Sequence, residues 1–377
     1  MKTTLFTTLG VVVVAVIVSS AQSGAPPGHT RDGRRLFENE TFGGNGRTCQ
    51  TCHSAATGTV SPQDAAKRLK QDPNDPLFVH DGSDDGLGNG VTRMLADATI
   101  LMTIPLASNV ILADDPTVRT VILRRGIPTT LNTPALDPVL MVDGRQPNLE
   151  AQAAGAIRDH AQGAVPSAAE LHNIAEFQRT NAFFSSPALR RVSLGGAAPE
   201  LPQGHTASEK RGRRFFEDVP PDPTDGLKPG LCAHCHSGTL LNQTNQFAPF
   251  FIGLPIPTGT RFSNILVSEF NAAHNPVREF IFNQGAPDEA HIFSPDPGRA
   301  LITGSLDNST LENVNAFKIS PLRGIRLTAP YFHDNSARTL EDVAAHYAAF
   351  FNLVSGGFIT LTPQDQKDMV AYMKLLD

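Results

Sequence analysis

The sequence contains the stretch Cys49-Gln50-Thr51-Cys52-His53 and, in its second half, the stretch Cys232-Ala233-His234-Cys235-His236. Both follow the pattern Cys-x-x-Cys-His, in which two thiols bond covalently to a haem and the adjacent His becomes an axial iron ligand. The two motifs use all four cysteines of the chain. The sequence therefore predicts two covalently bound c-type haems. The attachment residues are Cys49, Cys52, Cys232 and Cys235, and the iron ligands are His53 and His236.

Two other interpretations of the cysteines are a zinc site and a pair of redox-active Cys-x-x-Cys motifs. Structural zinc needs four convergent ligands, usually in two pairs separated by a short spacer. Here the pairs lie far apart in the sequence, and a His follows each pair directly. The pattern therefore favours covalent haem at both places.

The composition agrees with two haem domains. The chain has 377 residues, enough for two ordinary domains, and a hydrophobic fraction of 40% supports real cores. The net charge is -6 and no basic run is present, so nucleic acid is not an expected partner. The chain contains 22 Phe and 3 Tyr but no Trp.

The N-terminus has the pattern of an export signal. Lys2 precedes the apolar run 9–18, and small residues at 19–21 follow it. The apolar run is short for a bilayer span, which needs about 20 residues. We therefore expect residues 1–21 to be a signal peptide and the mature protein to be periplasmic. Export also agrees with haem attachment, because bacteria attach c-type haem outside the cytoplasmic membrane.

An internal repeat predicts the domain organisation. The hexapeptide Gly33–Glu38 precedes the first haem motif, and a similar hexapeptide, Gly212–Glu217, precedes the second. We predict a first cytochrome c-like domain over residues 30–185 and a second over 204–377. Each is expected to contain a helix, a loop and then the haem-binding turn.

The predicted fold class is mainly α, with long irregular loops. Capping patterns predict helix starts at Ser167, Thr206, Thr339 and Thr362. The stretch 116–125 is interpreted as a short helix that ends at Gly126.

Several further stretches resemble one family. Phe317–Gly324, Leu327–Asp334 and Thr339–Val343 resemble the bacterial dihaem cytochrome c peroxidases and their relative MauG, the dihaem enzyme that matures methylamine dehydrogenase. In the first half, Asp143-Gly144-Arg145 and Leu149–Ala153 resemble the signature of the family's first domain. Together with the two haem motifs, the resemblance covers nearly the whole mature chain.

The resemblance implies different roles for the two haems. The haem on His53 would bind peroxide, and the haem on His236 would transfer electrons. Glu150 falls on the family's catalytic acid, which moves a proton between the two peroxide oxygens. A structural interpretation of Glu150 is also open, because an acid in the first turn of a helix suits the helix dipole.

The resemblance also implies that Tyr347 is the second ligand of the iron on His236. The peroxidases have Met at this place and MauG has Tyr. Periodicity alone instead predicts a core residue on one face with Leu340 and Val343, and His346 is an adjacent competitor. A Tyr ligand favours ferric iron and lowers the potential, whereas Met raises it.

The chain departs from the family in the first domain. Leu140 stands where many relatives have a Gln near the peroxide. Leu131 occupies the place of a Trp between the haems, and Met141 and Val142 replace an aromatic pair. The first site could therefore bind something other than peroxide.

Weaker expectations concern additional ligands. His80 or His160 could be a displaceable ligand of the first haem, although a lone loop His is more often solvated. Thr328 and Pro330 match positions whose oxygens bind a calcium ion in relatives.

The function that the resemblance implies is periplasmic reduction of hydrogen peroxide to water. The electrons would come from a small donor protein, a c-type cytochrome or a cupredoxin. One alternative is a MauG-like oxidase that uses peroxide to oxidise a protein or organic substrate, and Tyr347 favours it. Another is a non-enzymatic dihaem electron-transfer cytochrome. Relatives are commonly homodimers, so a homodimer could form.

Overall fold

The computed structural model describes residues 27–271, 274–285, 288–307, 309 and 312–377. The predicted signal peptide, residues 1–21, lies outside these residues. Within them, helices are joined by long loops and by small antiparallel sheets. In this described part of the chain, no helix combines the length and the apolar character needed to cross a membrane.

The helices and strands follow one another along the whole described chain. The helices are α1 Pro27–Asn39, α2 Cys49–Cys52, α3 Pro62–Gln71, α4 Thr92–Asp97, α5 Leu149–Asp159, α6 Ala168–Thr180, α7 Pro187–Ser193, α8 Ala207–Arg213, α9 Ala248–Ile252, α10 Val267–Phe270, α11 Ala300–Thr303, α12 Leu340–Val354 and α13 Pro363–Met373. The strands are β1 Thr99–Pro105, β2 Val110–Leu112, β3 Thr120–Gly126, β4 Phe262–Ser263, β5 Arg278–Gly285, β6 Asp288–Ser294 and β7 Phe317–Lys318. Short 3₁₀ turns lie at Pro76–Phe78, His80–Gly82, Arg214–Phe216, Pro223–Asp225 and Ile325–Leu327.

The hexapeptides of the internal repeat lie in helical segments that precede the two Cys-x-x-Cys-His motifs, as predicted. Gly33 lies in α1, which packs against α6, and Gly212 lies in α8, which packs against α13. A Cβ on Gly33 would overlap the carbonyl oxygen of Asn173, and a Cβ on Gly212 would overlap that of Asp368. The repeated glycine therefore exists because two helix backbones touch at this point in each half.

The predicted helix starts are confirmed. The side chains of Ser167, Thr206, Thr339 and Thr362 each accept a hydrogen bond from the backbone N–H three residues later. In each case the acid at that third position bonds back to the cap residue's own N–H, which completes a capping box.

The helix predicted over 116–125 is wrong. Residues 120–126 instead form β3, which pairs antiparallel with β1. Along β3, buried residues such as Val121 and Leu123 alternate with exposed ones such as Ile122. This period of two and the β-branched side chains suit a strand with one buried face, and the long-range pairing with β1 overrides the weak local helix signal.

Residues from both sides of the predicted domain boundary pack together. One apolar cluster combines residues between Val60 and Ile127 with Phe280, Phe282 and Leu301. β2 of the first half also pairs with β5 of the second, in the sheet order β2-β5-β6. The limits 30–185 and 204–377 remain a prediction, and this shared sheet joins the two parts.

Candidate haem sites

The two motif histidines have the same local geometry. His53 Nδ1 lies 2.8 Å from the carbonyl oxygen of Gly58, and His236 Nδ1 lies 2.9 Å from that of Leu241. In both cases the carbonyl belongs to the fifth residue after the His. Because Nδ1 must donate to a carbonyl, Nε2 carries no proton and is left available to a metal. Burial lowers the pKa of His53, and it lowers the pKa of His236 to about 4, so both rings are neutral as ligands must be.

The environment of the thiols disfavours one of the other interpretations of the cysteines. Burial raises the pKa of Cys49 and of Cys235 to about 12, whereas redox-active Cys-x-x-Cys motifs have a lowered thiol pKa. Burial also raises the pKa of Cys52 and Cys232. Over the described ranges, no group of three or more His, Cys, Asp or Glu is arranged to hold a metal ion. The raised thiol pKa values therefore make a redox-active dithiol a poor fit.

A large cavity adjoins the first motif. It encloses about 1370 Å³ of empty space, part of it open to solvent, and Cys49, Cys52 and His53 lie on its wall. Apolar side chains from β1, the segment after β3, α5 and α6 supply most of the rest, including Ile100, Met102, Ile127, Leu140, Met141, Val142, Leu149, Ala153, Ile157 and Ile174. A neutral His, two adjacent thiols and an apolar cavity fit a c-type haem.

The second site brings His236 and Tyr347 together across a short gap. His236 Nε2 and Tyr347 Oη are 3.5 Å apart. These two atoms are the groups that would hold the second iron. The competitor His346 turns away, because its Nε2 lies 2.9 Å from the carbonyl oxygen of Ile265. Of the two neighbours, Tyr347 is the one that faces His236.

The packing around Tyr347 also explains the periodicity of α12. Tyr347 stacks on Phe351 with ring centroids 5.7 Å apart, and it packs against the cluster that contains Leu340 and Ala344. Burial raises the pKa of the Tyr347 phenol, so the hydroxyl keeps its proton unless a cation compensates for the charge of the phenolate. Tyr347 can therefore be a core residue of α12 and still present its hydroxyl to His236.

Glu150 lies beside the first cavity but does not line it. Its carboxylate accepts hydrogen bonds from both terminal nitrogens of Arg179 at 3.1 to 3.2 Å, and His172 Nδ1 is 3.8 Å away. Burial alone would raise the pKa of Glu150, but the hydrogen bonds from Arg179 outweigh it and lower the pKa. The structure places this acid in the first turn of α5, as both interpretations required, and its catalytic role stays a prediction.

A buried charge network next to the first cavity was missed from the sequence. Arg125 donates two hydrogen bonds to Asp296, at 2.7 and 2.9 Å, and one to Asp143 at 2.5 Å. Arg145 also donates to Asp143, at 2.8 Å. Asp143 of the Asp-Gly-Arg motif is thus a junction between two cations, and Arg125 links the first half of the chain to Asp296 in the second. The motif gave a signal for Asp143, whereas Arg125 and Asp296 carry no local signal.

The other predicted ligands are less well supported by their surroundings. His80 Nε2 lies 3.1 Å from the carbonyl oxygen of Asp159, and His80 is not on the cavity wall, whereas His160 is. The Thr328 hydroxyl donates to the carbonyl oxygen of Ile325 at 3.1 Å. A calcium ion at Thr328 and Pro330 remains a prediction.

Two Cys-x-x-Cys-His sites in one chain are the pattern expected of a dihaem protein. Comparison with known proteins agrees: residues 30–187 match the family model described as di-haem cytochrome c peroxidase. A cytochrome c551 peroxidase of Pseudomonas aeruginosa is 25% identical over 262 residues, which cover 67% of this chain and 64% of that protein. The cytochrome-c peroxidase IdrP1 of Denitromonas iodatirespirans is 23% identical over 199 residues, which cover 48% of this chain and 52% of that protein. The chain therefore matches less than two thirds of the length of these curated relatives.

A similar fold occurs among solved structures. A solved structure of a MauG-like protein associated with microbial copper homeostasis is similar over 93% of this chain and 89% of that one, with a TM-score of 0.52 and 18% identity. At this identity the likeness shows the fold. The resemblance found in the sequence is confirmed over residues 30–187, the part of the chain that the family model matches.

Proposed function

We propose that this protein is a periplasmic dihaem peroxidase that reduces hydrogen peroxide to water with electrons from a small redox protein. The observation that carries the proposal is the difference between the two motif sites. His53 stands on the wall of a large cavity, whereas the Tyr347 hydroxyl already lies 3.5 Å from His236. A reacting haem needs an open axial position and a relay haem has both positions filled, so the first site reacts and the second relays.

The residues of the two sites would divide the work as follows. Cys49 and Cys52 attach one haem and Cys232 and Cys235 the other, while the neutral His53 and His236 bind the irons. The bound haems supply the storage of electrons and the cleavage of the O–O bond. The chain's own contribution is to fix the ligand tautomers, to exclude water with an apolar cavity wall, and to provide Tyr347 as the second ligand of the relay iron. The donor would be a c-type cytochrome or a cupredoxin.

A MauG-like oxidase is the second candidate, and Tyr347 is the observation that favours it. An anionic oxygen ligand stabilises oxidised iron and lowers the potential, which makes the second haem a poorer acceptor from an ordinary c-type cytochrome. Oxidising equivalents from peroxide would then be kept on the protein and passed to a protein or organic substrate.

Stopped-flow spectroscopy of the dihaem protein separates these functions. Hydrogen peroxide is mixed with the protein with and without a reduced c-type cytochrome, and separately with a reduced cupredoxin. Rapid and repeated oxidation of either donor supports the peroxidase. A long-lived oxidised form that leaves both donors reduced supports the oxidase. A spectrum that peroxide leaves unchanged contradicts both and points to a non-enzymatic electron-transfer cytochrome.

A further inference from the structure

The wall of the first cavity carries an imidazole, His160, which is paired with the buried carboxylate of Asp81 behind it, and the proposed function leaves this pair without a role. His160 is the residue that ends α5, and it lies on the cavity wall. Its Nδ1 is 2.5 Å from Oδ2 of Asp81. Leu149, Ala153 and Ala156 line the same cavity at helical spacing, and His160 continues that face by one more turn. The helix therefore directs His160 to the cavity.

Asp81 is held so firmly that it fixes the orientation of His160. The Asp81 side chain is only 5% exposed, and its other oxygen accepts a hydrogen bond from Arg47. Arg47 is itself buried and donates to the carbonyl oxygens of Leu77 and Val79 as well. Burial alone would raise the pKa of Asp81, but the hydrogen bond from His160 and the charge and hydrogen bond of Arg47 lower it, so the group stays ionised.

The ionised carboxylate selects one tautomer of the imidazole. His160 Nδ1 donates to Asp81, which leaves Nε2 as the nitrogen that can exchange a proton with a ligand. Across the residues that the structure describes, Nε2 makes no hydrogen bond to the protein. An imidazole that is oriented by a buried carboxylate and faces a cavity is the arrangement used for general acid–base catalysis.

The other acids near this cavity are occupied elsewhere. Glu150 is paired with Arg179 and does not line the cavity. Glu40 does line it, but its carboxylate accepts a hydrogen bond from Arg35 at 2.8 Å on the protein surface. Leu140, which stands on the wall, has no polar group to offer.

We propose that His160, oriented by Asp81, is the proton-transfer residue of the first cavity. The inference rests on the proposed function and takes hydrogen peroxide as the ligand. In the overall reaction, peroxide accepts two electrons from the donor protein and two protons, its O–O bond breaks, and two water molecules form. His160 Nε2 accepts the proton of the oxygen that remains in the site and delivers it to the oxygen that leaves as water. No proton is gained or lost by His160 over the cycle.

The test compares two His→Gln variants of the dihaem protein. His160→Gln keeps an N–H group that can bond to Asp81 but cannot transfer a proton. His291→Gln is the matched control, because His291 Nδ1 pairs with Glu279 at 2.6 Å on the β5–β6 hairpin, away from the cavity. The readouts are the second-order rate constant with peroxide, the absorption spectrum of the oxidised protein and the thermal unfolding midpoint.

We expect His160→Gln to lower the rate constant by about 100-fold, the lower end of what a positioned acid–base group contributes. The spectrum and the unfolding midpoint should match those of His291→Gln, whose rate constant should be that of the wild type. Asp81→Asn provides a second variant that does not alter the imidazole itself, and it should give a smaller loss of rate.

Two results would overturn the inference. The first is an unchanged rate in His160→Gln, and a loss in Glu150→Gln would then assign the proton transfer to Glu150. The second is a changed spectrum in His160→Gln, which would make His160 an iron ligand. A wild-type protein that does not react with peroxide would instead contradict the proposed function, whatever the variants show.

Discussion

Replacing Arg125 by Met is predicted to be strongly destabilising. Arg125 is 1% exposed, and its guanidinium bonds to Asp296 at two points and to Asp143 at a third. Met has a similar length but no charge and no donor. The substitution therefore leaves Asp296 without its bidentate partner in the interior, while Asp143 keeps Arg145 as a partner.

The magnitude follows from the burial of the partners. Removing one member of a buried ion pair costs about 3–5 kcal/mol, because the remaining charge stays away from water. The loss of unfolding free energy should lie within this range and should not be doubled. Only Asp296 loses its Arg partner, because Asp143 keeps Arg145. For a domain of about 150–250 residues, a loss of about 1 kcal/mol lowers the unfolding midpoint by about 2–4 °C. A loss of about 3–5 kcal/mol thus corresponds to roughly 6–20 °C.

Circular dichroism is the suitable assay, because the chain has no Trp for fluorescence. The control is Arg278→Met, which breaks a surface pair with Asp114 at 3.0 Å. Exposed ion pairs contribute about 0–1 kcal/mol, so this variant should unfold close to the wild type. If Arg125→Met also unfolds within about 1 kcal/mol of the wild type, the network contributes no more than a surface pair and the reasoning is refuted.

Two further predictions concern the second site and the pH dependence of stability. Tyr347→Met should raise the reduction potential of the second haem, because a thioether replaces an anionic oxygen; spectroelectrochemical titration measures this, and an unchanged potential would show that Tyr347 is not a ligand. Burial alone would raise the pKa of Asp143, but the charges of Arg125 and Arg145 lower it below its usual 3.8. Asp143 therefore contributes stability that is present above its usual pKa, the unfolded value, and that is lost as the pH falls towards the lower folded value. Melting curves between about pH 6 and pH 2 should show a smaller acid-induced loss in Arg125→Met than in the wild type, and equal losses would contradict this assignment.

Local patterns in the sequence predicted local features of the structure well. The capping boxes at Thr206 and Thr339 depend on residues three positions apart, so the sequence contains both partners. The haem motifs are equally local. The strand over 120–126 could not be found this way, because its pairing with β1 is a contact between distant segments.

In the candidate sites, too, contacts between distant segments could not be predicted from local patterns. The position of Tyr347 in the family motif predicted that it lies opposite His236, and the two side chains are in contact. The prediction was possible because the motif shows which residues of α12 lie on its buried face. Motif position also placed Glu150 at the start of α5, but it could not show that Arg179, on another helix, holds the carboxylate. The role of Asp81 in orienting His160 depends on a contact between residues 79 positions apart. Such contacts are a property of the fold and leave no periodic trace in the sequence.

The backbone contacts at Gly33 and Gly212 allow one half of the chain to be compared with the other. Each glycine sets the spacing of one helix crossing, and each crossing belongs to the half that carries one haem motif. A methyl group added at one position would force apart the helices of that half alone. The unaltered half is then the control for the altered half, because both are measured in the same molecule and the same solvent. The protein can thus serve as its own paired comparison of how helix spacing governs the retention and the potential of a haem.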